Sequence, residues 1–223
     1  MKQKVTKTGF EYSVTETLDR GKDWKGWNEL PIANEGHTGK YVRYQEYLYN
    51  LIKELSPKNI LEIGFNVGHS ACCFLNSSPS AKMFTFDICQ DFPPESKERN
   101  IPELCVWIGT TDRELKIQAY NVLKSHFDIT LIEGDSTKTV PDFLENNNIK
   151  FDFVFVDGWH EEPVPYIDMI NTKGSVAPGG LLIVDDFGYP PVRNSFEKVN
   201  WEGFETETAR GIEKEIKILK KKS

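Results

Sequence analysis

The residues able to do chemistry sit at the ends of short apolar runs. Asp157 closes FVFV and is followed three residues on by His160; Asp185 and Asp186 close LLIV; Asp135 and Ser136 follow ITLI; Asp87 closes MFTF. If gathered together, Asp157, Asp185 and Asp186 offer only hard oxygen donors, with no cysteine in register and His160 as the nearby imidazole. Such a set suits Mg²⁺, with Mn²⁺ or Ca²⁺ as substitutes, and not zinc. Imidazole titrates near neutral pH and is the usual side chain for moving a proton there. The first apolar run, NILEI, leads instead into Glu62-Ile63-Gly64-Phe65-Asn66-Val67-Gly68-His69-Ser70, a strand, a glycine turn and a helix start. Glycines in that place let a ligand approach the backbone. The spacing is GxxxG, and Asn66 stands where a dinucleotide fold sets its second glycine against pyrophosphate, which weighs against a nicotinamide or flavin.

These groups can cooperate only if the chain brings the run ends to one place. NILEI at 59, MFTF at 83, ITLI at 129, FVFV at 153 and LLIV at 181 are too short for helices and almost continuously apolar, as strands buried on both faces are. Helical segments alternate with them, which predicts a doubly wound, mostly parallel α/β sheet. Tyr41, Tyr44, Leu48, Ile52 and Leu55 recur at helical spacing before Ser56 and Pro57. Further helices are expected over 70–75, from Thr111 with Glu114 at capping-box spacing, over 138–145, and after Glu161. In the last, Pro163 and Pro165 fit only a first turn, and Val164, Ile167 and Ile170 form the apolar stripe. Pro178, Gly179 and Gly180 read as a turn into the following strand. Residues 201–208 and 212–219 read as an antiparallel edge hairpin, and Lys220 to Lys222 as a solvated end. Adjacent strand residues face opposite ways, so Asp185 and Asp186 can converge only if at least one lies in a turn past the strand.

Residues 39–223 thus form the expected domain, with 1–38 as an N-terminal arm or lid. Trp24 and Trp27 are unusual for a disordered tail and leave open a lid, an arm joining a homo-oligomer, or a loosely packed arm. The stretch from Cys89 to Gly109 shows no legible element. Acids outnumber bases 34 to 27, giving a net charge of −7, which opposes a nucleic-acid footprint. No apolar run approaches the ~20 residues that span a bilayer, and the start MKQKVTKTGFEYS shows no signal-peptide core. Cys72, Cys73, Cys89 and Cys105 form no CxxC pair, so no zinc ribbon or disulfide framework is indicated and a reducing cytoplasm is expected.

In an open parallel sheet the ligand lies beyond the carboxyl ends of the strands, where strand order reverses. A crevice rimmed there by carboxylates repels pyrophosphate and attracts cations. S-adenosylmethionine fits such a field. It carries a sulfonium, a ribose diol that Asp87 can accept, and one carboxylate that the helix opening at His69 and Ser70 can receive.

LEIGFNVGHS, FTFD, EGDS and FVFVDGWHEEPVPYIDMI with VAPGGLLIVDD together resemble a class I S-adenosylmethionine-dependent methyltransferase, and more narrowly the metal-dependent sugar O-methyltransferases of the macrocin type, over roughly residues 38–190. The resemblance implies a seven-stranded, Rossmann-like methyltransferase sheet with a reversed final hairpin. It implies Glu62, Gly64, Gly68, Ser70, Asp87, Asp135, Ser136 and Asp157 on the cofactor side, and Asp157, Asp185 and Asp186 as ligands of Mg²⁺ or Mn²⁺. It further implies His160, beside Asp157, as general base. His69 reads as a helix-start residue, and His37 and His126 have no motif.

The expected acceptor is a small molecule or glycan carrying a sugar hydroxyl, such as that of a deoxyhexose. Ionising an aliphatic hydroxyl at pH 7 costs roughly 12 kcal/mol, against about 4 for a phenol, so metal and base are most needed for the former. A phenol or catechol acceptor is the alternative within the same chemistry. A non-catalytic nucleoside-binding module is the alternative from another class. Tyr189 and Arg193, just past the aspartates, either border the acceptor or belong to a plain loop.

Overall fold

A computed structural model describes residues 24–30, 41–89 and 112–223. The expected doubly wound sheet forms. Its elements run α1 (Val42–Leu55), β1 (Asn59–Ile63), α2 (His69–Ser77), β2 (Lys82–Asp87), α3 (Asp112–Lys124), β3 (Ile129–Glu133), α4 (Ser136–Asn146), β4 (Phe151–Val156), α5 (Val164–Lys173), β5 (Val176–Val184), α6 (Pro190–Lys198), β6 (Phe204–Ala209) and β7 (Ile216–Lys221). The strand order is β3-β2-β1-β4-β5-β7-β6; β1 to β5 pair in parallel, and β7 inserts antiparallel between β5 and β6.

The central apolar runs are continuous because both faces of the sheet are covered, whereas ITLI, expected to be buried on both faces, forms the edge strand β3 and is half-buried from Thr130 to Ile132. On one face Ile60, Met83, Phe155 and Ile183 pack against Leu48 and Ile52 of α1, Phe74 of α2 and Leu123 of α3. On the other, Leu61, Phe86, Val154 and Leu182 pack against Val140 of α4, Met169 of α5 and Phe196 of α6. Helix α1 ends where expected, with Ser56 in the left-handed region and its amide donating to the Ile52 carbonyl.

Several expectations shift. Helix α2 extends to His69–Ser77 and α4 to Ser136–Asn146, because Asp135 caps α4 by accepting from the Thr137 amide. In α5 the buried face is Pro165, Asp168, Met169 and Thr172; Val164, Ile167 and Ile170 are only half-buried. Pro178-Gly179-Gly180 lies inside β5, where the register against β4 slips between Phe151 and Phe153. That irregularity is what lets proline and a positive-φ glycine sit within a strand. The hairpin strands begin three or four residues later than expected. Lys220 and Lys221 are therefore half-buried strand residues, Lys221 donating to the Val176 carbonyl, and not a solvated end. Helix α6 was not expected; it takes in Arg193, for which a plain loop was one reading, and Pro190 and Pro191 occupy its permissive first turn.

Of the N-terminal segment, residues 24–30 rest on the core, with Trp24 buried and stacked on Tyr49 at 5.3 Å. The rest of residues 1–38, Thr111, and the stretch after Cys89 lie outside the described residues. Among the described residues no helix is long and apolar enough to cross a membrane.

Candidate active site

Strands β1 and β4 are sheet neighbours, and the chain departs from them in opposite directions, to β2 and β3 on one side and β5 on the other. The strand order reverses at this point, which opens a crevice. One hydrogen bond beyond each ladder aligns the run ends: Gly134 N–H donates to the Asp87 carbonyl, Gly64 to Phe86, Asp157 to Ile63 and Asp185 to Val156, all at 2.8–3.0 Å. The acids at the ends of β2, β4 and β5 are therefore level with one another.

Both aspartates after β5 lie past the strand, and Asp186 adopts φ +47°, the turn that the opposed directions of neighbouring residues require. It brings Asp186 Oδ2 to 3.1 Å from His160 Nε2, which lies 3.4 Å from Asp157 Oδ1. Ligand-capable atoms of Asp157, His160 and Asp186 all lie within 4.8 Å of one another. Asp185 is buried and turned differently: Oδ2 accepts from Lys214 Nζ at 2.6 Å, and the buried Tyr44 hydroxyl faces the same carboxyl group. Lys214 Nζ also lies 3.0 Å from Asp186 Oδ1. His160 thus stands in the cluster where Asp185 was expected, with Asp185 behind it.

The charges respond to this packing. Hydrogen bonds to Asp157 and Asp186 raise the His160 imidazole to about 10. Burial, then repulsion from Asp157, pushes Asp185 up; Asp186 is held below its usual range because its bonds to His160 and Lys214 outweigh its burial.

The cofactor-side candidates are more fully engaged than their sequence implies. Asp87 Oδ2 accepts from the Asn66 amide at 2.8 Å, while Oδ1 accepts from the Cys89 amide and from buried Lys116 Nζ at 2.9 Å. Asn66 has φ +48°, a conformation asparagine tolerates, which accounts for its place in the turn. The crevice rim is consequently less negative than a count of its acids implies, because Lys116 and Lys214, from α3 and the β6–β7 loop, each neutralise a buried carboxylate. Low-dielectric surroundings demand such partners. No local motif marks either lysine. Asp135 spends Oδ1 on capping α4, and Ser136 opens that helix.

The two glycines are required by the chain itself. A Cβ on Gly64, at φ +96°, would stand 1.9 Å from the Asp157 carbonyl oxygen, and one on Gly68, at φ +77°, 2.9 Å from the Phe65 ring. The close approach is between β1 and β4, and need not involve a ligand. Beneath the turn, Glu62 is fully buried and accepts from Ser70 Oγ and Thr85 Oγ1, each at 2.6 Å. Burial pushes its carboxyl up to about 8, although both hydroxyls pull it down. The folded protein therefore keeps a proton there that the unfolded chain releases near pH 4.5. The linked stability is fully present below pH 4.5 and is lost as pH rises to about 8. Glu62→Gln removes this dependence, so its unfolding free energy relative to wild type should climb over that interval and level off above it, as read by urea melts at several pH values.

Beside the acids, Trp159, His160, Glu161, Asp186 and Tyr189 line a cavity of about 360 Å³. Trp159 and Tyr189 are 53% and 43% exposed, large apolar faces left uncovered at the crevice, and Tyr189 Oη donates to Glu161 at 2.6 Å. Arg193 instead lies in α6 over the Phe187 ring. Trp159 was missed in the sequence; its one signal is its place between Asp157 and His160. His69 opens α2 with its ring edge-on to Trp27, and His126 lies near Glu29. His37 lies outside the described residues.

This arrangement offers a set of oxygen donors for a cation, an imidazole within reach of it, and an aromatic-flanked cavity alongside. Asp157 and Asp186, with Asp185 behind them, are the residues able to hold a metal. The glycine turn, Asp87 and the start of α4 lie at the same carboxyl end of the sheet, after β1, β2 and β3.

The chain is 25% identical over 154 residues to catechol O-methyltransferase B of Danio rerio, a match covering 68% of this chain and 51% of that protein, so it spans about half the length of that relative. Two solved structures share the fold. The O-methyltransferase TomG of Streptomyces achromogenes, in complex with SAM, has a TM-score of 0.60 at 16% identity over 93% of this chain and 92% of that one. The O-methyltransferase of Bacillus cereus, in complex with SAH, has a TM-score of 0.58 at 16% identity over 87% and 86%. The sequence pattern of the methyltransferase-domain family matches residues 61–187, from β1 through the aspartates that follow β5 and more than half of the chain, and the protein belongs to that family.

Proposed function

We propose that the protein is an S-adenosylmethionine-dependent O-methyltransferase, assisted by Mg²⁺ or Mn²⁺, that methylates a sugar hydroxyl. The observation that carries this reading is the convergence of Asp157, His160 and Asp186 beside the cavity flanked by Trp159 and Tyr189. The family match and the donor- and product-bound structures of similar fold support the cofactor.

The residues fit a divalent ion: Asp157 and Asp186 bring hard carboxylate oxygens together beside His160. When bound, a cation there supplies positive charge that favours the ionised form of an acceptor hydroxyl. The methyl donor supplies an electrophilic methyl on a sulfonium. The chain's own contribution is positional and acid–base. Trp159 and Tyr189 offer flat apolar surfaces against which a pyranose face or an aromatic ring can lie. His160 takes the acceptor's hydroxyl proton at Nε2, as its position within hydrogen-bond reach of the carboxylate cluster permits. In the cation-free protein the same carboxylates keep His160 charged, so its service as a base calls for their charge to be engaged elsewhere.

The test is incubation with labelled donor and a panel of glycosides and catechols, with and without EDTA, followed by mass spectrometry of the products. Methylated glycosides in Mg²⁺, and none in EDTA, are expected; full turnover in EDTA rejects the metal. Similarity to a catechol O-methyltransferase favours a second reading, a phenolic acceptor, and preferential methylation of catechols in the same panel would select it. Stabilisation by S-adenosylhomocysteine and not by NAD in a thermal shift checks the cofactor independently.

A further inference from the structure

Within the proposed cation site the chain supplies a cation of its own. Lys214 reaches it from the loop between β6 and β7, and its side chain is only 18% exposed. Nζ lies 2.6 Å from Asp185 Oδ2 and 3.0 Å from Asp186 Oδ1, and stands over the rings of Tyr44 at 5.2 Å and Tyr41 at 5.9 Å. An ammonium so enclosed has surrendered much of its hydration, and two carboxylates with two aromatic faces replace it. This is a fixed charge, unlike a mobile surface lysine. It also engages one oxygen of Asp186, which belongs to the candidate ion cluster, and one of Asp185 behind it.

We propose that Lys214 competes with the divalent ion for this site: its ammonium neutralises Asp185 and Asp186 in the cation-free protein and thereby sets the concentration at which an ion is taken up. Like charges held a few ångströms apart in a half-buried crevice repel strongly, so ion entry must displace the ammonium or bear its repulsion. Exchange of the two keeps Asp185 paired throughout, which avoids an isolated buried carboxylate. The proposal rests on the reading of these aspartates as a cation site.

Calorimetric titration of chelator-stripped protein with Mn²⁺ tests it in wild type, Lys214→Gln and Lys214→Arg. Glutamine keeps hydrogen-bond donors and removes the charge; it should tighten Mn²⁺ binding by about ten-fold or more, whereas arginine should not tighten it. Equal or weaker binding by Lys214→Gln overturns the proposal. A measurement on the wild type needs no variant: reductive methylation read by mass spectrometry should label Lys214 poorly in stripped protein and more strongly with Mn²⁺, relative to the other lysines. Unchanged labelling at saturating Mn²⁺ overturns the proposal as well. Absence of Mn²⁺ binding in every form removes both the competition and the cation, while leaving the methyl donor to be judged by the thermal shift with S-adenosylhomocysteine.

Discussion

On the proposed reading, methyl transfer by His160→Ala should fall about 10²- to 10⁴-fold below wild type, the usual worth of a positioned general base. An aliphatic hydroxyl is a poor nucleophile until its proton leaves, and among the described residues His160 is the imidazole that shares the crevice with Asp157 and Asp186. The fold should tolerate the change, because the His160 side chain is 42% exposed and its ion pairs lie at the rim of the crevice. A thermal melt and S-adenosylhomocysteine affinity close to wild type would separate lost chemistry from lost structure. His160→Gln, which keeps a polar group of similar reach but cannot serve as a base at neutral pH, should be nearly as impaired. A turnover number within a few-fold of wild type for either variant would remove His160 from the reaction.

Gly64→Ala should cost about 3 kcal/mol or more of folding stability, seen as a large fall in the urea midpoint. The added methyl would meet the Asp157 carbonyl at 1.9 Å, and both partners are backbone at the junction of two central strands. Neither can yield by rotating a side chain. The Asp157 amide is itself bonded to the Ile63 carbonyl, so relief must come from parting β1 and β4, which disrupts the crevice as well. Gly179→Ala is the matched control: it also has positive φ, +77°, but nothing lies within 4 Å of its added methyl. It should lose only the conformational part, about 1–2 kcal/mol. Equal midpoints for the two variants would show that the contact with Asp157 is not what demands glycine at position 64.

Much of this architecture is legible in the sequence. NILEI, FVFV and LLIV could be recognised as strands because burial on both faces forces continuous apolarity, and the end of α1 at Ser56-Pro57 follows from local backbone preference; ITLI, equally apolar, is a strand at the sheet's edge and only half-buried. Local rules misled where a residue's neighbours come from far along the chain. The bulge that absorbs Pro178 and Gly179 depends on register against β4, and the half-burial of Lys221 depends on β7 entering between β5 and β6. Asp135 was visible as a strand-end acid, but its use as a cap appears only when α4 begins at the next residue.

The sequence by itself determined the fold class and which acids end the strands, since periodicity and residue type are properties of short segments. Tertiary structure decided which of those acids meet His160, that Asp185 is turned toward Lys214, that Lys116 holds Asp87, and that Trp159 and Tyr189 flank one cavity. The physical reason is that a charge's environment is set by whatever packs around it. The lysines that neutralise this crevice arrive from α3 and from the final hairpin, at separations in the chain that no local spacing encodes.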